Sequence, residues 1–191
     1  MARSDAVRNR ARVLDAAREL ITRDGVEVRM DAIAAQAGVA VGTLYRHFST
    51  KEALVAAVVD DSLEALARRS EASWDAVGQG ADAWAELQEL IRWFAAAYAR
   101  DRAFKTTAAT LGAEVHADDG AGAKALARAL VAVDGLLAQA RASGAVREDV
   151  TADDLAVVLT QVPDEGVAGP GSLERYLRVV LRGLAARGEV T

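Results

Sequence analysis

Apolar residues in this chain recur every three or four positions in segment after segment, and nowhere do they alternate one by one. Such a period marks a helix with one buried face, whereas a half-buried strand needs a period of two. Val7, Ala11, Leu14, Ala17 and Ile21 form a first stripe with Gly25 as its stop, which predicts a helix from Asp5 to Asp24. Short helices around Met30–Ala37 and Val41–His47 flank the turn Gly38-Val39-Ala40, with Ile33, Ala34, Ala37, Leu44 and Phe48 as their apolar set. Ser49 and Glu52 have capping-box spacing, so a fourth helix is expected to start there and run toward Ser70.

Trp84, Leu87, Ile91, Phe94 and Tyr98 predict a fifth helix with an aromatic face, and a sixth is expected over Arg102–Val115. Leu126, Leu130, Val133, Leu137 and Ala140 mark a long helix ending at Gly144. Thr151 with Asp154 reads as an N-cap ahead of Leu155, Val158, Leu159 and Val162. Pro163 to Gly171 reads as a loop. Ser172 is then expected to cap a last helix carrying Leu173, Tyr176, Leu177, Val180, Leu181 and Leu184. The fold class is all-α, with about nine helices expected over 191 residues.

Composition removes several function classes. With no cysteine and only His47 and His116, a thiolate nucleophile, an Fe–S cluster and a Cys-containing zinc site are excluded, and a histidine triad has little to draw on. No catalytic residue, metal or cofactor is expected. The run from Asp118 to Lys124 lacks phosphate-loop spacing and a preceding strand, and reads as a loop. Met1 to Arg12 is polar and arginine-rich without the apolar centre of a signal peptide, and no uninterrupted apolar run approaches the ~18 residues of a membrane span. A cytoplasmic protein without membrane contact is the expectation. The net charge of −5 is uneven: through Lys51 nine basic residues face six acidic ones, leaving fourteen against twenty-two in the remainder. A basic module on an acidic body suits a polyanionic partner.

Two short helices around a glycine turn can place the second helix in the DNA major groove, about 12 Å wide. Small residues are needed where that helix meets the bases. Ala40, Val41 and Gly42 lead the second helix, and Thr43, Tyr45, Arg46, His47 and Lys51 follow as phosphate donors. From Ile33-Ala34-Ala35-Gln36-Ala37-Gly38 through Thr43-Leu44-Tyr45-Arg46-His47-Phe48 to Lys51-Glu52-Ala53-Leu54, the sequence resembles the signature of the tetracycline-repressor (TetR) family of transcriptional regulators. The clear likeness covers about Arg8 to Val59. Beyond it the chain is similar in architecture, and in the hinge Gly144-Ala145-Val146-Arg147-Glu148-Asp149-Val150.

The resemblance implies phosphate contacts by Thr43, Tyr45, His47 and Lys51, base-facing positions at Ala40 to Gly42, and core roles for Leu44 and Phe48. Where that family often has a threonine or serine before the first motif helix, this chain has Val28-Arg29. Arg29 is expected to take a phosphate instead, with Asp31 complementing the helix dipole. For Arg29 and Arg46, solvated surface and DNA contact both stay open. A DNA-binding domain is expected over residues 1–55, its motif over about 30–49, and a ligand-binding and dimerisation domain over 56–191.

Trp84, Trp93, Phe94, Tyr98, Phe104 and His116 fall where the family encloses a small-molecule cavity, although an aromatic stripe also serves as core. Leu155 and Leu159, with Leu173, Tyr176, Leu177, Val180, Leu181 and Leu184, could build a four-helix interface between two subunits or pack within one. The function implied is a homodimeric repressor of double-stranded operator DNA, released by a small-molecule inducer. A helical-bundle enzyme and an adaptor keeping the fold without DNA binding are the alternatives.

Overall fold

The computed structural model describes residues 2–25, 27–100, 120–163 and 165–186. Every regular element among them is a helix; the one β-type pairing is an isolated bridge between Val146 and Ala185. Among the described residues the chain divides into two units, the first comprising those up to Ser62 together with Arg100, the second Leu63–Ala99 and those from 120 onward.

The first unit holds α1 (Ala2–Asp24), α2 (Met30–Ala37), α3 (Val41–His47) and the start of α4 (Lys51–Gly78). Its core joins Val13, Leu14, Ala17 and Ile21 of α1 to Ile33, Ala34 and Ala37 of α2, Leu44 of α3, then Phe48, Leu54 and Val58. Helix α1 starts before Asp5, and Val7 and Ala11 at the head of its expected stripe are exposed, so only its later turns are buried. The two motif helices have the predicted bounds. Gly38 makes the turn between them possible: at φ 63° it is left-handed, and the amide of Val39 reaches back to the Ala34 carbonyl at 3.0 Å. The cap of α4 is Thr50, not Ser49. Its Oγ1 accepts from the Ala53 amide at 3.1 Å, while its own carbonyl accepts from Leu54. The helix continues past Ser70 to Gly78.

The second unit holds the rest of α4, then α5 (Ala83–Arg100), α6 (Ala121–Ala142), α7 (Ala152–Leu159), a single turn α8 (Glu165–Ala168) and α9 (Ser172–Leu184). Asp82 caps α5 by accepting from the Ala85 amide at 2.7 Å. Thr151 and Asp154 form the expected reciprocal box at the start of α7.

Three readings change here. The buried face of α6 is Gly122, Ala125, Ala129, Ala132, Leu136, Leu137 and Ala140, while Leu126 and Val133 are half-buried and Leu130 exposed. Small side chains let helices approach, and the close contact of Gly135 with the Trp74 ring shows how near α4 comes. Second, α7 ends at Leu159, so buried Val162 lies in the following segment, and that segment carries α8 where a plain loop was expected. Third, Gly171 at φ 72° is the N-cap of α9; Ser172 is the first helical residue, buried with its hydroxyl unpaired among the described residues. The hinge from Gly144 is tied to the end of α9 by Arg147 N–H to Leu184 O at 3.0 Å and Ala186 N–H to Ala145 O at 2.9 Å. Among the described residues no helix is long and apolar enough to cross a membrane, and no group of three or more His, Asp or Glu is placed to hold a metal ion.

Candidate nucleic-acid interface

Helix α3 divides its side chains sharply. Leu44 and Phe48 are 0% and 4% exposed and anchor it to the core, while Ala40, Val41, Gly42, Tyr45 and Arg46 face outward and Thr43, His47 and Lys51 are half-buried. A short helix held by one leucine and one phenylalanine thus presents a continuous outward edge. Gly42 is informative. Its φ is not positive, and a Cβ built on it would meet nothing within 4 Å, so neither backbone nor packing within the chain asks for glycine. Glycine in a helix costs up to about 1 kcal/mol relative to alanine.

The first unit's cations fall into two sets. Arg8 pairs with Asp5, Arg18 with Asp15 and Asp61, Arg23 with Asp24, and Arg29 with Asp31. Arg10, Arg12, Arg46 and Lys51 form no ion pair among the described residues. Arg29, expected to serve a phosphate, instead grips Asp31 through Nε at 3.1 Å and Nη2 at 2.6 Å, and this pairing holds the Asp31 carboxyl below its ordinary range. Arg29 makes no side-chain cap for α2, and the Ala32 amide donates to Asp31 at 2.8 Å.

Two residues that the sequence reading passed over join the motif. The Arg10 guanidinium lies over the Phe48 ring, 5.4 Å from its centroid, and Nη2 of Arg12 donates to the Gly38 carbonyl at 3.3 Å. Helix α1 therefore sets one positive charge beside each end of α3. A signal for Arg10 was present: no acid stands three or four positions from it, whereas Arg8 and Arg18 each have an aspartate three residues back.

In the second unit Trp84 belongs to the core cluster, with Trp93 packed at its margin. Tyr98 stacks on half-buried Phe94 with ring centroids 5.7 Å apart, and its hydroxyl donates to the Thr160 carbonyl at 3.3 Å. Burial pushes that phenol's pKa up. Phe104 and His116 lie outside the described residues. Of the residues expected at a subunit interface, Leu155 and Leu184 are instead buried in their own chain's core, 3% and 7% exposed. Leu159, Leu173, Tyr176, Leu177, Val180 and Leu181 are half-buried, and the Tyr176 hydroxyl donates to the Val158 carbonyl. The same two helices leave Val157 and Val179, which sit beside the stripe, 65% and 72% exposed.

A short helix, turn and second helix with an exposed leading edge define a helix-turn-helix regulator class, and comparison with known proteins agrees. Residues 13–58 match the family model described as bacterial regulatory proteins, tetR family, and residues 87–186 match the C-terminal domain of SbtR-like transcriptional regulators. The crystal structure of a TetR transcription regulatory protein from Mycobacterium vanbaalenii is 35% identical, covers 97% of this chain and 100% of its own, and superposes with a TM-score of 0.69. A TetR transcriptional regulator from Streptomyces coelicolor is 27% identical over 93% and 99% of the two chains, with a TM-score of 0.64. The Escherichia coli regulator UidR is 42% identical over 67 residues, 34% of each chain. This chain thus spans about a third of the length of the curated relatives it matches. The chain belongs to the tetR family of bacterial regulatory proteins.

Proposed function

We propose that the chain is a homodimeric DNA-binding transcriptional regulator, a repressor that leaves its operator when a small molecule binds the second unit, and not an enzyme. The observation that carries this reading is the exposed edge of α3, with a glycine the chain itself does not need, bordered by arginines and a lysine that form no ion pair among the described residues. Ala40 to Gly42 face the bases. Thr43, Tyr45, Arg46, His47 and Lys51 hold phosphates, and Arg10 and Arg12 extend that grip, while Arg29 is spoken for by Asp31. Dimerisation through α7 and α9 is supported by Val157 and Val179, exposed beside the half-buried Leu177 and Leu181. It gives two readers, one for each half of a two-fold site. Control follows from linkage: a molecule preferring the off-DNA form weakens operator binding by the factor by which DNA weakens its own.

Footprinting across the region upstream of its own gene tests the proposal. A protected, two-fold symmetric stretch with half-site centres about 10 base pairs apart, or a multiple of that, is expected. Uniform cleavage at protein concentrations that saturate other family members' operators would sink it.

A further inference from the structure

The inner face of α4 within the second unit carries polar groups that the fold leaves unused. Leu63, Ala67, Ser70 and Ser73 are buried there, the two serines with 0% exposure. A helical serine commonly donates to the carbonyl one turn back, as Ser62 of the same helix does to Val58 at 3.0 Å. Ser70 makes no such bond, and its Oγ has no hydrogen-bond partner among the described residues. Buried hydroxyls left in that condition call for a missing partner.

Beside it, Ser73 Oγ accepts from Nη1 of Arg69 at 2.8 Å, which keeps the Ser73 proton available for donation. Arg69 is half-buried and forms no ion pair among the described residues. The acids nearest along the helix are engaged elsewhere: Glu64 and Glu71 both hold Arg128, each at 2.9 Å. The result is a cluster rich in donors, positive, without a counter-ion, and bordered by Leu63 and Ala67. A guanidinium taken partly out of water favours a carboxylate partner, which it can grip bidentately.

We infer that Arg69, Ser70 and Ser73 anchor the acidic head of the effector, which is a carboxylate carried on an apolar body. This rests on the reading of the second unit as effector-binding. Arg69 supplies the charge, Ser70 and Ser73 donate to the remaining carboxylate lone pairs, and the apolar remainder lies along the leucine and alanine side. A primary amide of the same shape brings donors to a site already full of them and is disfavoured.

Isothermal titration of the full-length protein with decanoate, 3-phenylpropanoate and their primary amides tests the anchor. At least one acid should bind about tenfold or more tightly than its amide, and Arg69→Gln should erase that preference. Ser70→Ala should weaken the acid several-fold while leaving the melting temperature of the free protein unchanged or higher, because alanine removes only an unpartnered oxygen. Absence of binding by both acids, equal binding of acid and amide, or an unaltered preference in Arg69→Gln would overturn the inference. Release of a bound DNA duplex, followed separately by fluorescence anisotropy, reads the regulator proposal by itself. An acid that binds through Arg69 without releasing DNA supports the anchor and contradicts the inducer.

Discussion

Gly42 of α3 and Gly135 of α6 both sit inside helices, in opposite surroundings. At Gly42 an added Cβ would meet nothing within 4 Å; at Gly135 it would lie 3.0 Å from Cε3 and Cζ3 of Trp74. Gly135 faces the Trp74 ring of α4, which would have to give by a few tenths of an ångström to admit a side chain there. Around Gly42 the chain leaves open space. A second contrast runs through the charges: Arg10, Arg12, Arg46 and Lys51 form no ion pair among the described residues, whereas Arg128 in the second unit is held by two glutamates.

The comparison can be broken in several places. The largest effect is expected at Leu44, which is fully buried and fastens α3 to the core. Leu44→Ala should cost about 2–5 kcal/mol in denaturant unfolding and abolish DNA binding with it. An intact α3 in that variant would mean that the motif does not depend on this anchor. Next comes Gly135→Ala, where overpacking against Trp74 should cost about 1–3 kcal/mol, read as a lower denaturation midpoint. Its counterpart Gly42→Ala should do the reverse, stabilising by up to about 1 kcal/mol while weakening DNA binding. Equal behaviour of the two alanine variants would dissolve the contrast.

A smaller effect sharpens the second unit's side. Thr151→Ala should remove the α7 cap at a cost of about 1 kcal/mol. Asp154 responds to the same bonds: hydrogen bonds from the Thr151 hydroxyl and amide hold its carboxyl below the usual range. A depressed folded-state pKa means that this contribution is present above the unfolded value of about 3.9 and fades as the pH falls through the lowered one. Acid unfolding of Thr151→Ala, compared with the parent chain, should show a shallower loss across that window. An unchanged profile would mean that the box does not set Asp154's titration.

How far the sequence could be read differs between the units for a physical reason. Helices α2 and α3 were legible to the residue because Gly38 ends one and a tight apolar set fixes both. The cap of α4 was misread by one position, since Ser49 and Thr50 are adjacent hydroxyls and only geometry chooses between them. Arg29 looked free until the structure paired it with Asp31 two residues away. In α6 the leucines drew attention, yet close packing chose the alanine face, which a hydrophobicity pattern ranks too low. Ser172 has the residue type of a cap, but a left-handed glycine at Gly171 does that work without a side chain. Nothing in the sequence marks Ser70 as unpartnered; that emerges only when the buried face of α4 is assembled.

If the edge of α3 and the cations beside it serve DNA, both sequence preference and salt dependence must follow. Fluorescence anisotropy with the duplex upstream of its own gene and with a shuffled duplex, each between 50 and 200 mM salt, tests it most directly. The account predicts roughly 10³-fold or greater preference for the upstream duplex and a linear log–log decline with a slope of about −0.9 per phosphate held. Equal affinity for both duplexes, or affinity indifferent to salt, would contradict it.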